Sequence, residues 1–241
     1  IIRQPELAKT LKIIRDNGFD DVYKGEIADV IIDTVKAHGG IMNHQDLINY
    51  DVRVEEPLWS SYKGYDLALP VPPSAGGIGI AMQLKILEQL DISQYEPHSA
   101  EKYHLMSQAL QLAMADDAEH IEDTNFKPAP LDGLLNEDYI KERMEQLSAD
   151  RKAEEKTAGN PWKYQKEGHN EREYKISADN EGHETTHFTA VDQWGNVAAC
   201  TTSIERIYGS GIMVPGHGFL LNNHLTDFST EPGSVNEPNG N

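Results

Sequence analysis

The sequence holds a single cysteine, Cys200, among 241 residues. That excludes an internal disulfide framework and any zinc cluster built on cysteine pairs. Basic residues are scarce: 21 Lys and Arg stand against 40 Asp and Glu, for a formal net charge of −19. A field of that sign repels phosphate backbones and anionic lipid, so neither nucleic acid nor a membrane surface is an expected partner. No long apolar run is present. The longest uncharged stretch, residues 67–84, is interrupted by Pro70, Pro72, Pro73, Gly76, Gly77 and Gly79, so no membrane span is expected from it. What remains is an ordinary globular composition, 38% hydrophobic with Gly 19 and Pro 12, long enough for one large domain or two small ones. The chain opens Ile1-Ile2-Arg3, without a methionine or a recognisable signal peptide, and reads as an excerpt of a longer one.

Helical periodicity dominates residues 1–150. Pro5 suits a first helical turn, Leu7, Leu11 and Ile14 recur at helical spacing, and Gly18 offers a stop. Ile27, Val30, Ile31 and Val35 mark a second amphipathic helix ending at Gly39-Gly40. Residues 52–69 have strand character around a turn at Lys63-Gly64. Residues 80–90, 100–120 and 137–147 resume the helical period, and Tyr103, Met106, Leu110 and Met114 form an apolar stripe expected to pack into a core. Residues 74–79 (SAGGIG) precede a helix; with no lysine and no βαβ unit, they read as close backbone packing rather than a phosphate loop. Residues 151–184 differ in kind, crowded with Lys, Glu, Asn and Gly around a few apolar groups. Such a composition repays little of its ordering entropy and predicts an exposed, mobile linker. From Thr185 onward, strands and glycine turns take over, so the whole reads as α+β.

Two β-rich runs, residues 185–191 and 197–203, flank Asp192-Gln-Trp-Gly-Asn196, a hairpin signal. A turn centred on Trp194 pairs Thr185 with Ser203, and directly opposed residues share a face, with Cβ atoms about 4.5–5.5 Å apart. Thr185 then stands where an acidic linker meets a rigid strand, with a second hydroxyl beside its own. A threonine hydroxyl is a poor nucleophile until a base accepts its proton. Cutting the chain before Thr185 would supply one, since a free α-amino group titrates near about 7.7–8.0. Ser203 could orient the nucleophile by hydrogen bonding. The plainer reading stays open at this point: threonine is common in strands, and Thr185 can simply start one.

A competing pattern overlaps these residues. His183-Glu184-Thr185-Thr186-His187 matches H-E-x-x-H, whose zinc chemistry needs both histidines on one face of a helix. In a strand, His183 and His187 would lie roughly 13 Å apart and could not ligate one ion. Glu205 is a conceivable third ligand, but the helix is missing, so no metal and no cofactor is expected. Farther on, Gly209-Ser-Gly211, Gly216-His-Gly218 and Asn222-Asn223 read as turns, and Asp227 by itself as a solvated loop acid.

Taken together, residues 185–189 (TTHFT), 192–196 (DQWGN), 208–212 (YGSGI), 220–223 (LLNN) and Asp227-Phe228 resemble the γ-glutamyltransferase (γ-glutamyl transpeptidase) family of N-terminal nucleophile hydrolases. Residues 3–7 (RQPEL), 19–26 and 72–77 (PPSAGG) are similar to the family's large-subunit pattern. The resemblance implies a four-layer αββα sandwich and an enzyme made as one precursor that becomes a large and a small subunit. Residues 1–150 would be the C-terminal part of the large-subunit region, 151–184 a polar linker to the cleavage site, and 185–241 the N-terminal part of the small subunit. It implies autoproteolysis between Glu184 and Thr185, after which Thr185 takes a γ-glutamyl group from a small-molecule amide and passes it to water or an amine. Ser203 stands where the family has a threonine that assists both steps. Asp227 matches the aspartate that binds the donor's α-amino group, and Glu205 lies near that group, where relatives carry Asn or Glu. A secreted or extracytoplasmic location is the family expectation.

His224 departs from the pattern, where the family usually has Gln or Glu as a further acceptor for the ammonium. An imidazole is a poorer partner for a cation, which leaves room for glutaryl or cephalosporin acylase chemistry on the same scaffold. The family's carboxylate-gripping arginine is expected upstream of Ile1, and its oxyanion-hole serine and glycine pairs downstream of Asn241. Readings from other classes are a zinc metallopeptidase on residues 183–187 and a non-catalytic binding relative.

Overall fold

The structure, a computed structural model, describes residues 1–125, 128–151, 156–166 and 185–228. In chain order the helices are α1 (Pro5–Asn17), α2 (Asp20–Lys24), α3 (Glu26–Ala37), α4 (His44–Ile48), α5 (Ala75–Gln89), α6 (Ala100–His120), α7 (Leu131–Leu134) and α8 (Glu137–Met144). The strands are β1 (Leu58–Tyr62), β2 (Tyr65–Leu69), β3 (Thr185–Val191) and β4 (Val197–Ser203). Among the described residues these strands form two antiparallel hairpins, β1–β2 and β3–β4. The chain is α+β, as its pattern predicts, and falls into two compact units. No helix among the described residues is long and apolar enough to cross a membrane.

One unit joins residues 1–53 to residues 185–228. Pro5 sits in the first turn of α1, where its missing N–H costs nothing, and Gly18 closes the helix at φ 83°. Helix α3 buries Ile27, Ala28, Ile31 and Ile32. Ile27 and Ile31 meet Val214, with Ile13, Ile14, Phe219 and Leu221 packed around them. Val214 belongs to a small hairpin in which Leu221 N–H donates to the Ile212 carbonyl (2.9 Å) and Val214 N–H to that of Phe219 (2.9 Å). At its tip, Gly218 has φ 69°, and a Cβ there would lie 2.6 Å from the Leu7 backbone nitrogen, so only glycine fits against α1. Buried Thr10 of α1 donates to the His217 backbone carbonyl at 2.8 Å and lies 3.1 Å from His217 Nδ1. With that hydroxyl proton on the carbonyl, the ring nitrogen is the donor of the second bond.

The other unit spans the described residues from Val54 to Lys166. Its core places Ile78, Met82 and Ile86 of α5 against Ala109, Leu112 and Ala113 of α6, with Leu134, Tyr139 and Ile140. This corrects the expected face of α6. Tyr103 (54% exposed), Leu110 (43%) and Met114 (60%) look outward and Met106 of that stripe packs against the core as expected, while Leu105, Ala109, Leu112 and Ala113 are buried. The inner face thus combines two alanines, Ala109 and Ala113, with Leu105 and Leu112, a mixture that side-chain size alone does not reveal. Helix α5 begins at Ala75, five residues before its apolar period becomes readable, because glycines fill its first turn.

Residues 156–166 also depart from the expected solvated linker. Gly159 N–H donates to Asp116 Oδ1 (2.7 Å), Arg143 Nη2 to the Thr157 carbonyl (2.6 Å), and the Tyr164 hydroxyl to Glu142 (2.8 Å). The segment is held by these polar anchors together with buried Pro161 and the Tyr164 ring packed against Tyr139, contacts that its overall composition does not encode.

Candidate active site

The β3–β4 ladder carries the predicted register, from Val191 opposite Val197 to Thr185 opposite Ser203. Asp192 sets the turn: its Oδ1 accepts from the backbone of Trp194 and Asn196 (2.9 Å each), and its Oδ2 from the Asn196 side chain (2.7 Å). These bonds, the Asn196 amide foremost, hold the Asp192 carboxyl below its ordinary range. Gly195 supplies φ 85°. A pinned turn fixes what meets at the ladder's far end.

There, Thr185 Oγ1 donates to Ser203 Oγ at 3.3 Å, and the same oxygen accepts the Glu205 N–H at 2.9 Å. Glu205 has φ 73°, a left-handed conformation costing a non-glycine residue roughly 1–2 kcal/mol, and its side chain is 2% exposed. Its Oε1 lies 3.7 Å from Arg206 Nε. Asn223 staples the next segment to this loop: its N–H donates to the Ile204 carbonyl (3.3 Å) and its Oδ1 accepts the Arg206 N–H (3.2 Å). The short helical turn His224–Asp227 follows, with Asn222 Oδ1 accepting the His224 N–H (3.1 Å). His224 Nε2 lies 3.3 Å from the Ser203 carbonyl oxygen, and Nδ1 lies 3.2 Å from Asp227 Oδ2.

Thr185, Ser203, Glu205, His224 and Asp227 are therefore gathered at one end of one hairpin, linked in a continuous run of contacts. Glu184 lies outside the described residues. A cleft of about 380 Å³ opens here, lined by Thr185, Thr186, Thr202, Ser203, Ile204, Arg206 and Ile207. Residues of both hairpin faces line it, so it wraps the open end of the ladder. Arg206 was not singled out from sequence. A lone arginine in a loop carries no pattern, and its position one residue past Glu205 was the available clue.

The zinc pattern does not form its helix, because β3 begins at Thr185, inside the motif. His187 is engaged elsewhere, with Nδ1 2.7 Å from Thr201 Oγ1 and Nε2 3.3 Å from Thr189 Oγ1. Among the described residues, no group of three or more His, Cys, Asp or Glu side chains is placed to hold a metal ion.

A strand that starts on Thr185, with the Ser203 hydroxyl beside it on an α+β scaffold, is compatible with the N-terminal nucleophile hydrolases. Within that class, the chain belongs to the gamma-glutamyltranspeptidase family, whose sequence model matches residues 1–240. It is 47% identical over 234 residues to the glutathione hydrolase proenzyme of Bacillus subtilis (strain 168), covering 97% of this chain and 40% of that protein. The acylase ACY 1 proenzyme of Pseudomonas sp. (strain SE83) is 33% identical over 230 residues, covering 95% of this chain and 38% of that one. The gamma-glutamyltranspeptidase from Pseudomonas nitroreducens, solved in complex with L-DON, superposes with a TM-score of 0.60 at 34% identity, covering 68% of this chain and 48% of that one. The chain thus spans about two fifths of the length of the curated relatives it matches.

Proposed function

We propose that this chain carries the nucleophile and the ammonium-binding side of a self-processing threonine hydrolase and acyltransferase acting on γ-glutamyl amides. The observation that carries the reading is the Thr185 Oγ1–Ser203 Oγ contact at 3.3 Å, at the open end of a hairpin whose register is fixed by its turn. In the processing step Thr185 Oγ attacks the carbonyl carbon of Glu184, the C–N bond breaks, and the acyl group rests on the oxygen as an ester. Water then hydrolyses that ester and leaves Thr185 with a free α-amino group. In turnover this amine takes the Thr185 hydroxyl proton while the oxygen attacks the donor's amide carbon. The proton passes to the departing amine, and water or an acceptor amine releases the acyl group.

Two negative side chains supply the recognition. Asp227 would pair with the donor's α-ammonium group, and Glu205 would add its charge from the loop beyond β4. By this reading residues 1–150 belong to a large subunit and residues 185–241 to a small one, with 151–184 leading to the cut. The hairpin would lie within the four-layer αββα sandwich, and a secreted or extracytoplasmic enzyme fits the family and the acidic charge. A second reading is favoured by one residue. His224 beside Asp227 suits a donor lacking an ammonium group, as in glutaryl or cephalosporin side-chain hydrolysis, and an acylase proenzyme stands among the relatives.

The test is intact-mass measurement of the purified protein over time. Two fragments are expected, the smaller starting at Thr185, and Thr185→Ala abolishes both cleavage and turnover. A chain that stays whole, or a Thr185→Ala variant that still turns over, rejects the nucleophile.

A further inference from the structure

Among the described residues that line the cleft at the open end of the β3–β4 hairpin, one side chain is charged, and its charge is positive. Arg206 stands there 55% exposed, in a protein of formal net charge −19. Its backbone is pinned on both sides. The N–H donates to Asn223 Oδ1 (3.2 Å) and the carbonyl accepts the Gly209 N–H (2.8 Å), so the side chain starts from a fixed point. Its Nε stands 3.7 Å from Oε1 of Glu205, whose side chain is 2% exposed. The carboxylate is thus the covered member of the pair, and the guanidinium the one that meets solvent. A guanidinium carries five N–H donors in a planar fork, enough to answer Glu205 and a second carboxylate together. Ile204 and Ile207, on either side of Arg206 in sequence, line the same cleft and add apolar wall.

This charge lies within reach of the chemistry. Thr185 Oγ1 is 3.3 Å from Ser203 Oγ, which is 2.9 Å from the Glu205 nitrogen. With standard backbone geometry, the Arg206 Cα is then no more than about 12 Å from the Thr185 oxygen. A leaving amino acid or dipeptide carries its carboxylate about 3–7 Å beyond the broken bond at chain spacing, and the arginine side chain covers the interval that remains.

We propose that Arg206 is a specificity-determining residue on the leaving-group side of the cleft, selecting amines that bear a carboxylate on an apolar body over neutral amines. The inference rests on the reading of Thr185 as the nucleophile. An anionic leaving group approaches this protein against its overall field, and Arg206 reverses the sign of that field locally. Asp227, assigned to the donor's ammonium group, repels a carboxylate, so the two charges fix which end of the substrate faces which wall. By reversibility, an acceptor amine enters where the leaving amine departs and meets the same guanidinium.

γ-Glutamyl-4-nitroanilide and γ-glutamyl-3-carboxy-4-nitroanilide share one donor and differ by a single carboxylate on the leaving aniline. The ratio of their kcat/KM values on the processed protein isolates that carboxylate. Any change at the donor end, a loosened Glu205 included, acts on both substrates and cancels. Arg206→Gln should lower the carboxylated-to-neutral ratio about tenfold, and Arg206→Glu should lower it further. Arg206→Lys, which keeps the charge and loses the fork, should stay within about threefold of the parent. The parent ratio should also fall as salt rises from about 0.05 M to about 0.5 M, a dependence that Arg206→Gln loses. The salt series on the parent alone decides the matter should the glutamine variant fail to fold or process. A ratio that Arg206→Gln and Arg206→Glu leave unchanged, or a parent ratio flat with salt, overturns the proposal. If that happens while Thr185→Ala abolishes turnover of both substrates, the nucleophile reading stands and Arg206 alone is rejected. If the parent turns over neither substrate, or Thr185→Ala still turns over both, the nucleophile reading fails and takes this inference with it.

Discussion

Ser203 Oγ receives the Thr185 hydroxyl and the Glu205 N–H together, at 3.3 Å and 2.9 Å. One oxygen thus ties Thr185 to the loop that holds Glu205 in its left-handed conformation. Losing it should do two things at once. Ser203→Ala is expected to slow self-processing about 10–100-fold, the effect of removing one or two hydrogen bonds from a reacting group. Ser203→Thr keeps the oxygen and should stay within about threefold. Gel densitometry of precursor against time measures both, and an alanine variant that processes at the parent rate would remove Ser203 from the mechanism.

The buried pair in the other unit makes a prediction about stability alone. Arg143 Nε donates to Asp116 Oδ2 at 2.9 Å, with the two side chains 1% and 0% exposed. Burial pushes the Asp116 carboxyl up, against the Arg143 charge and the Gly159 N–H that hold it down. Arg143→Met strands that carboxylate and frees the Thr157 carbonyl, which should cost about 3–5 kcal/mol in urea unfolding. A loss below about 1 kcal/mol would mean the pair is dispensable.

Its neighbour Asp117 has Oδ1 buried with no hydrogen-bond partner among the described residues. Burial, helped by the Asp116 charge, raises its pKa from 3.8 to about 7. Such a carboxyl takes up a proton on folding between those two values. Its contribution to stability is complete at low pH, declines as pH rises, and is lost above about 7. Asp117→Asn should therefore gain on the parent as pH climbs from about 4 to about 7.5, read as a widening gap between their urea midpoints. A gap that stays constant over that range would show that Asp117 ionises freely in the folded protein.

What the sequence discloses follows the range of the interaction. The β3–β4 register was legible because a five-residue turn, Asp192 to Asn196, fixes seven cross-strand pairs. Helix α1 was legible from Pro5 and Gly18 for the same local reason. The site followed from that register and from a family resemblance, since Asp227 alone looks like any loop acid. The inner face of α6 was not legible, because two helical stripes compete there and the buried one mixes Ala109 and Ala113 with Leu105 and Leu112. Nor was the Thr10–His217 contact, which joins residues 207 positions apart through a hydroxyl, a ring nitrogen and a carbonyl. No periodicity encodes a pair at that distance.

The glycines that open α5 separate two readings of the same short run. A Cβ at Gly77 would sit 2.0 Å from the Pro70 carbonyl oxygen and 3.0 Å from its carbon, both backbone atoms with little room to move. A Cβ at Gly79, two residues farther on and on the opposite side of the helix, meets nothing within 4 Å. Gly79→Ala should thus stabilise the protein by about 0.5–1 kcal/mol, since alanine loses less backbone freedom in a helix. Gly77→Ala should destabilise it by about 1–3 kcal/mol through overpacking. Thermal melts of the two variants beside the parent decide the matter. If both shift in the same direction, close approach to Pro70 is not what Gly77 provides; opposite shifts leave Gly77 a packing role and Gly79 none, with no need of a bound anion.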